Sequence, residues 1–185
     1  MAGKTTTKQL QASTVRLGRA HFVYVGAFAL LTVLSDAWSL IVPEVVLQRW
    51  TVAAIMLVVV AVVWFLARDA TRSAAMYRVL IYTLIVLDIA VATYLVYTQR
   101  GLASRAVVLF VIPLAVAATL ASRAALFATA ALCTAAYAFA GIRYFVVHPG
   151  ESYKIELYAE LGFYCVVFFI VAIVLWTAIR HKNDA

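Results

Sequence analysis

The chain has 185 residues, of which 66% are apolar and 12% charged, and its mean hydropathy is +1.01. A soluble domain is about half apolar and about one quarter charged, and a soluble fold of this size would leave too much apolar surface in water. The composition therefore excludes an ordinary soluble domain and predicts an all-α transmembrane bundle whose main partner is the lipid bilayer. The net charge of +7 does not indicate a nucleic-acid partner, because the basic residues lie between apolar segments.

Six segments are long and apolar enough, or nearly so, to cross a bilayer, which requires about 20 residues. In chain order they are residues 22–42, 50–67, 79–98, 102–121, 124–147 and 157–179. The sequence thus predicts a polytopic bundle of about six spanning helices in one membrane domain, residues 21–180. A basic segment, residues 1–20, precedes it as a surface amphipathic helix or a disordered stretch. A short polar end, residues 181–185, follows.

Turn-forming and small residues predict how these segments are separated and packed. Pro43 and Glu44 are expected to end the first segment, and Gly101 supplies a permissive backbone for a turn. Pro113 is expected to kink the fourth helix, either as a simple bend or, with Gly101, as a hinge. Small residues predict that the fourth and fifth helices pack closely as an antiparallel hairpin. These residues are Ala115, Ala117, Ala118, Ala121, Ala128, Ala131, Ala135, Ala138 and Gly141.

The positive-inside rule predicts that both ends lie on the cytoplasmic side of a bacterial-type plasma membrane. With the N-terminus inside, the predicted inner side carries ten basic residues and the predicted outer side five. The inner set is Lys4, Lys8, Arg16, Arg19, Arg68, Arg72, Arg78, Arg123, Arg180 and Lys182. The outer set is Arg49, Arg100, Arg105, Arg143 and Lys154.

Two carboxylates lie inside spanning segments, Asp36 in the first and Asp88 near the middle of the third. A charge near the bilayer centre costs roughly 2.5–3.5 kcal/mol on insertion scales, so each needs a compensating partner. Arg100, Arg105 and Arg143 are the candidate partners, reaching in from helix ends. One interpretation is a pair that senses a ligand or protons; the other is a structural ion pair or a protonated Asp bonded to a neighbouring helix.

The sequence contains no motif that pairs a nucleophile with a base, no nucleotide-binding loop and no metal-ligand cluster. No enzyme activity, metal or other cofactor is therefore expected. Cys133 and Cys165 lie inside apolar stretches and are expected to be small buried residues, since neither lies in a loop. A redox-active pair would require that their helices be neighbours at equal depth.

A resemblance follows from the stretch between Leu87 and Leu132. It contains Asp88, the run Gly101-Leu102-Ala103-Ser104, an apolar run with Pro113, and the short break Ser122-Arg123. This stretch resembles the six-helix membrane sensor domain of pilus-regulating two-component sensor histidine kinases. The resemblance implies a sensory function, with Asp88, Gly101, Ser104 and Pro113 as the residues to test. It does not imply kinase activity, because the histidine-bearing helix and the ATP-binding domain of that family are not in this sequence.

Three functions compete at this point. The leading hypothesis is a membrane-embedded signal-input module that acts through a partner, as a homodimer or with another membrane protein. The second is a structural or assembly subunit of a membrane complex, for which small-residue helix faces are equally suited. The third is a small transporter or channel subunit, which would need polar groups along a pathway through the membrane.

Overall fold

The computed structural model describes residues 6–99, 101–151 and 155–184, and every regular element in them is helical. The α-helices are α1 (Thr7–Ala37), α2 (Pro43–Ala67), α3 (Ala74–Thr98), α4 (Val111–Ala118), α5 (Arg123–Val147) and α6 (Ile155–Asp184). Three 3-10 segments lie between them, at Gly101–Ala103, Arg105–Phe110 and Pro149–Glu151. The prediction of an all-α bundle is confirmed. Within the described residues, five helices (α1, α2, α3, α5 and α6) are long and apolar enough to cross a membrane, and 105–118 forms a shorter sixth.

The chain divides into two compact units, and the first comprises Thr6–Leu84. Its main feature is an antiparallel hairpin of α1 and α2, which pack along their lengths. Gly18 of α1 lies so close to α2 that an added Cβ would be 3.1 Å from the Trp64 side chain. Phe22 meets the same indole edge to face, with ring centroids 5.8 Å apart. Trp64 is therefore the side chain around which one end of the hairpin closes.

The basic segment before residue 21 is neither a separate surface helix nor disordered over the described residues. It is the first part of α1, which begins at Thr7 and runs on without a break. A capping box starts the helix: Thr6 accepts from the Gln9 N–H while the Gln9 side chain accepts from the Thr6 N–H. This reciprocal cap and the contacts with α2 favour helix where composition alone favoured a polar leader.

The first loop lies earlier than the sequence predicted. Helix α1 ends at Ala37, and Pro43 and Glu44 begin α2 instead of ending the first segment. Pro43 occupies the first turn, where a missing N–H leaves no helical bond unmade, and Glu44 faces the positive end of the helix dipole. Ser39 adopts a φ of 51° in the intervening loop.

Asp69 organises the short connection from α2 to α3. Its carboxylate accepts from the Thr71 hydroxyl at 2.7 Å and the Thr71 N–H at 3.0 Å, and it pairs with Arg72 at 3.3 Å. These hydrogen bonds, followed by the Arg72 charge, lower the pKa of Asp69 below its ordinary value of 3.8. The buried Tyr77 donates its hydroxyl to the Asp69 carbonyl at 2.5 Å, which holds the connection against the start of α3.

The second unit comprises the described residues from Ile85 onward, that is, the second half of α3 and everything after it. Its fourth segment is shorter than predicted. Arg105–Phe110 is 3-10 helix and Val111–Ala118 is α-helix, so the element spans about 24 Å, less than the roughly 30 Å of hydrocarbon. Pro113 is buried in the first turn of α4. The predicted kink within one continuous helix is replaced by this change of helix type.

Helices α4 and α5 do form the predicted hairpin, together with α6. Ala121 closes the turn with a φ of 48°, and Ser122 caps α5 by accepting from the Ala125 N–H. However, the small residues divide by face. Ala117 and Gly141 are buried, whereas Ala115, Ala128, Ala131 and Ala135 are exposed.

Candidate functional site

The second unit contains an open cavity of about 440 Å³ between α3 and α5. The α3 side is one helical face, because positions separated by three or four residues project in the same direction. The lining residues are Ala90, Thr93, Tyr94 and Tyr97 of α3 with Phe139, Ala140 and Arg143 of α5. Its volume is in the range that holds a small organic molecule.

The cavity combines an apolar wall with a few polar groups. The Thr93 hydroxyl is occupied, since it donates to the Ile89 carbonyl at 2.6 Å. Within the part of the chain that the structure describes, the Tyr97 hydroxyl makes no hydrogen bond and Arg143 makes no ion pair. Arg143 is exposed and Phe139 is 64% exposed, so both lie at the opening. A guanidinium at the mouth of an apolar cavity is suited to a ligand that joins a hydrophobic body to an acidic group.

Asp88 lies on α3 below this cavity and is only 1% exposed. Its carboxyl group is within electrostatic range of the Cys133 thiol on α5. The two chemically distinctive groups of the α3–α5 contact are thus the buried Asp88 and, further along the same two helices, Arg143. Asp88 does not line the cavity, so a ligand there would act on Asp88 through helix packing.

Asp36 has a different environment from Asp88. It is exposed and lies in the last turn of α1, in the first unit. An exposed carboxylate at a helix end reaches water, so it needs no buried partner. Of the two carboxylates, Asp88 is therefore the one whose burial carries the free-energy cost of a charge within the membrane.

The candidate arginines fall into separate places. Arg143 lines the cavity, whereas Arg105 is exposed at the start of the 3-10 segment. Arg100 lies outside the described residues. Of the two described arginines, Arg143 is the one that lies in a candidate site.

Gly101 and Ser104 build the turn that enters the fourth segment. Gly101 has a φ of 59°, and an added Cβ would lie 2.8 Å from the Tyr144 side chain. Ser104 is buried and caps the 3-10 segment by accepting from the Ala106 N–H at 3.1 Å. Both residues hold the backbone in place, and neither lines the cavity.

The sequence did not reveal what holds the irregular fourth segment. Tyr137 of α5 donates its hydroxyl to the Leu102 carbonyl at 3.1 Å, and its ring packs edge to face on Phe110, Tyr164 and Phe168. Cys133, one turn away, has its thiol 3.8 Å from the Phe110 carbonyl. The sequence shows that Cys133, Tyr137 and Gly141 lie four residues apart, on one face of a helix. It does not show that Tyr137 bonds to a carbonyl in a distant segment.

The two cysteines are free thiols on neighbouring helices. Cys133 is buried, and Cys165 of α6 is half-buried beside Thr134. The described residues contain no group of three or more His, Cys, Asp or Glu side chains placed to hold a metal ion.

Comparison with protein families, with curated proteins and with solved structures found no match to this chain. The resemblance to sensor domains therefore stays a prediction.

Proposed function

We propose that this protein is a membrane-embedded signal-input module whose ligand enters the α3–α5 cavity. The observation that carries the proposal is the Arg143 guanidinium at the mouth of an apolar cavity between α5 and α3, the helix that carries the buried Asp88. In this proposal the chain lies in a bacterial-type plasma membrane with both ends on the cytoplasmic side. It acts on a partner, either a second copy or another membrane protein.

The proposed signal is a change in helix packing. A ligand that binds one arrangement of α3 and α5 more tightly than another shifts the population toward it. Tyr137 of α5 packs on Tyr164 and Phe168 of α6, so a displacement of α5 is transmitted to α6. Asp88, buried beside α5, changes its surroundings in the same movement.

The ligand chemistry is tested with three small aromatic probes that differ only in their polar group. Benzoate, benzyl alcohol and benzylamine are added at equal concentrations to the purified protein in detergent, and the unfolding midpoint is measured. We expect benzoate to raise the midpoint most, and Arg143→Gln to abolish that difference. Arg105→Gln is the matched control, because it removes the same charge from an exposed site outside the cavity. Equal shifts from benzoate and benzyl alcohol would contradict the proposal.

The signalling role is tested with Asp88→Asn in a fusion to a cytoplasmic output domain. We expect this variant to lose its response to stimulus while the exposed Asp36→Asn retains it. A fusion whose response is unchanged by Asp88→Asn, while both variants are inserted at equal levels, would remove Asp88 from the mechanism.

One observation favours a second candidate, an assembly subunit of a membrane complex. Ala124, Ala128, Ala131 and Ala135 form an exposed face of α5 at helical spacing. Small residues on a lipid-facing helix allow a neighbouring helix to approach closely. A fixed partner that co-purifies with the wild type and is lost from Ala131→Leu would support this function over the first.

A further inference from the structure

A second cavity, which is polar and has a volume of about 330 Å³, lies in the first unit at one end of the α1–α2 hairpin. Gln11, Val15 and Arg19 of α1 line it together with Trp64 and Arg68 at the end of α2. None of these residues belongs to the α3–α5 cavity, so a ligand here would be independent of the proposed function. We propose that this pocket binds the phosphate group of an anionic phospholipid.

Hydrogen-bond donors dominate the pocket. The carbonyl groups at the end of a helix would ordinarily repel an anion. Here the Gln11 amide donates to the carbonyl oxygens of Ala67 and Arg68, at 3.5 and 3.4 Å, and so covers them. The Arg19 and Arg68 guanidiniums are therefore the charged groups of the pocket, and neither makes an ion pair with a carboxylate among residues 6–99, 101–151 and 155–184. Phosphate oxygens match the donor geometry of guanidinium groups.

Trp64 adds a donor and rigidity. Its buried Nε1 has no hydrogen-bond partner among the described residues. The ring is fixed by the close approach of Gly18 and by Phe22, and the Arg68 guanidinium lies over it, 4.8 Å from the ring centroid. A buried indole N–H without an acceptor costs free energy, which a phosphate oxygen would recover once a small side-chain shift opens this atom to the pocket. The indole ring is thus held in place before a ligand arrives.

The charge around the pocket favours an anion. The described basic residues of this end are Lys8, Arg16, Arg19, Arg68, Arg72 and Arg78. The carboxylate nearest in sequence, Asp69, is already bound by Thr71 and Arg72. Asp36 and Glu44 lie at the opposite end of the hairpin, where α1 ends and α2 begins.

A lipid fits this position better than a free phosphate ion. Exposed apolar side chains lie close in sequence to lining residues on both helices: Val23 is one turn after Arg19 on α1, and Phe65 follows Trp64 on α2, at 74% and 71% exposure. They offer an apolar surface to an acyl chain while the headgroup lies between the arginines. Basic pockets between transmembrane helices at the membrane surface are suited to anionic headgroups.

The test uses the full chain in detergent, titrated with water-soluble dioctanoyl phosphatidylglycerol, with native mass spectrometry to count bound lipid and measure Kd. We expect one lipid per chain and weaker binding of dioctanoyl phosphatidylcholine. Arg19→Gln and Arg68→Gln should each raise Kd about tenfold, since each removes charge-assisted hydrogen bonds. Arg16→Gln is the matched control, because it removes the same charge from an exposed site outside the pocket, and should change Kd less than about twofold.

Two further variants separate a built pocket from general attraction between charges. Arg68→Lys keeps the charge but loses the guanidinium fork, and should weaken binding roughly threefold. Trp64→Phe keeps an aromatic ring but loses the indole N–H, and should weaken binding by a similar factor. Circular dichroism of each variant confirms that the helices remain.

Four results would overturn the proposal. An equal loss of lipid affinity in Arg16→Gln and Arg68→Gln would indicate a diffuse charge effect. An unchanged Kd in both Arg68→Lys and Trp64→Phe would indicate the same. Equal binding of phosphatidylcholine would exclude selection for an anionic lipid. Inorganic phosphate that binds with the same dependence on Arg19 and Arg68, and displaces the lipid, would assign the pocket to the free ion instead.

Discussion

The two units differ in how their backbone polar groups find hydrogen-bond partners. In the first unit, two buried threonines of α1 donate within their own helix: Thr14 to the Leu10 carbonyl and Thr32 to the Phe28 carbonyl. In the second unit, a 3-10 turn and a 3-10 segment replace regular helix, and Tyr137 bonds to the Leu102 carbonyl 35 residues away. Regular helices satisfy themselves in lipid, whereas irregular backbone must be covered by protein and given partners. The second unit should therefore be the more sensitive to single substitutions.

The largest effect is expected from Gly101→Ala. Alanine at this position would have to keep a backbone φ of 59°, and its Cβ would lie 2.8 Å from the Tyr144 side chain. Backbone strain and crowding therefore both oppose the substitution. We expect a loss of about 2–4 kcal/mol in the free energy of unfolding, measured by denaturant titration in detergent. Gly162→Ala is the control in the same unit, because nothing lies within 4 Å of its added Cβ. Equal stability of the two variants would contradict the close packing of this turn.

A direct comparison of the units comes from two glycines inside helices, Gly141 of α5 and Gly26 of α1. An added Cβ at Gly141 would lie 2.7 Å from Leu102 Cγ, and Leu102 is buried. Gly141→Ala should cost about 1–3 kcal/mol. Gly26→Ala meets nothing within 4 Å and should be neutral or stabilise α1 by up to about 1 kcal/mol. If Gly141→Ala and Gly26→Ala change the thermal unfolding midpoint in the same direction, the two units do not differ in their tolerance of substitution.

A smaller effect is expected from Tyr137→Phe, which removes one hydroxyl and keeps the ring in its aromatic cluster. The Leu102 carbonyl would lose its donor in a buried position, at a cost of about 1 kcal/mol. Tyr158→Phe is the control, since Tyr158 is 51% exposed. If both variants unfold at the same midpoint as the wild type, the long-range hydrogen bond does not stabilise the turn.

The smallest effect concerns pH and Asp69 of the first unit. Because the folded protein lowers the pKa of Asp69 below 3.8, its contribution to stability is present above that value and is lost as pH falls through the folded pKa. The wild type should be more stable than Asp69→Asn at pH 7, and the difference should narrow below about pH 4. Parallel unfolding profiles of the two proteins between pH 3 and pH 7 would contradict this hydrogen-bonded arrangement.

Hydropathy predicted the helix ends that are marked by charged and polar residues. It did not predict the helix bounds that depend on contacts between distant segments. The end of α2 at Ala67 and that of α3 at Thr98 agree with the predicted segments because charged and polar residues follow both. The start of α2 was predicted seven residues late, although Pro43 and Glu44 are helix-start signals in their own right. The length of α1 was hidden because its polar first turns pack on α2 instead of lying in lipid.

The candidate site was predictable only in part. Asp88 was recognisable as an intramembrane carboxylate, and its burial agrees with that interpretation. Arg143 was identified as a basic residue at a helix end, but its place at a cavity depended on which face of α5 meets α3. Hydropathy does not determine helix rotation, so neither Tyr97 nor Tyr137 was predicted as a contact residue.

The continuity of α1 has a mechanical consequence. Its 31 residues measure about 46 Å, so the rod is roughly 16 Å longer than the hydrocarbon layer is thick. A helix without a proline bend transmits twist and tilt along its axis with little loss. Any torque that lipids or neighbouring proteins apply to the apolar portion is therefore delivered to the polar tip, where the displacement of a tilting rod is greatest.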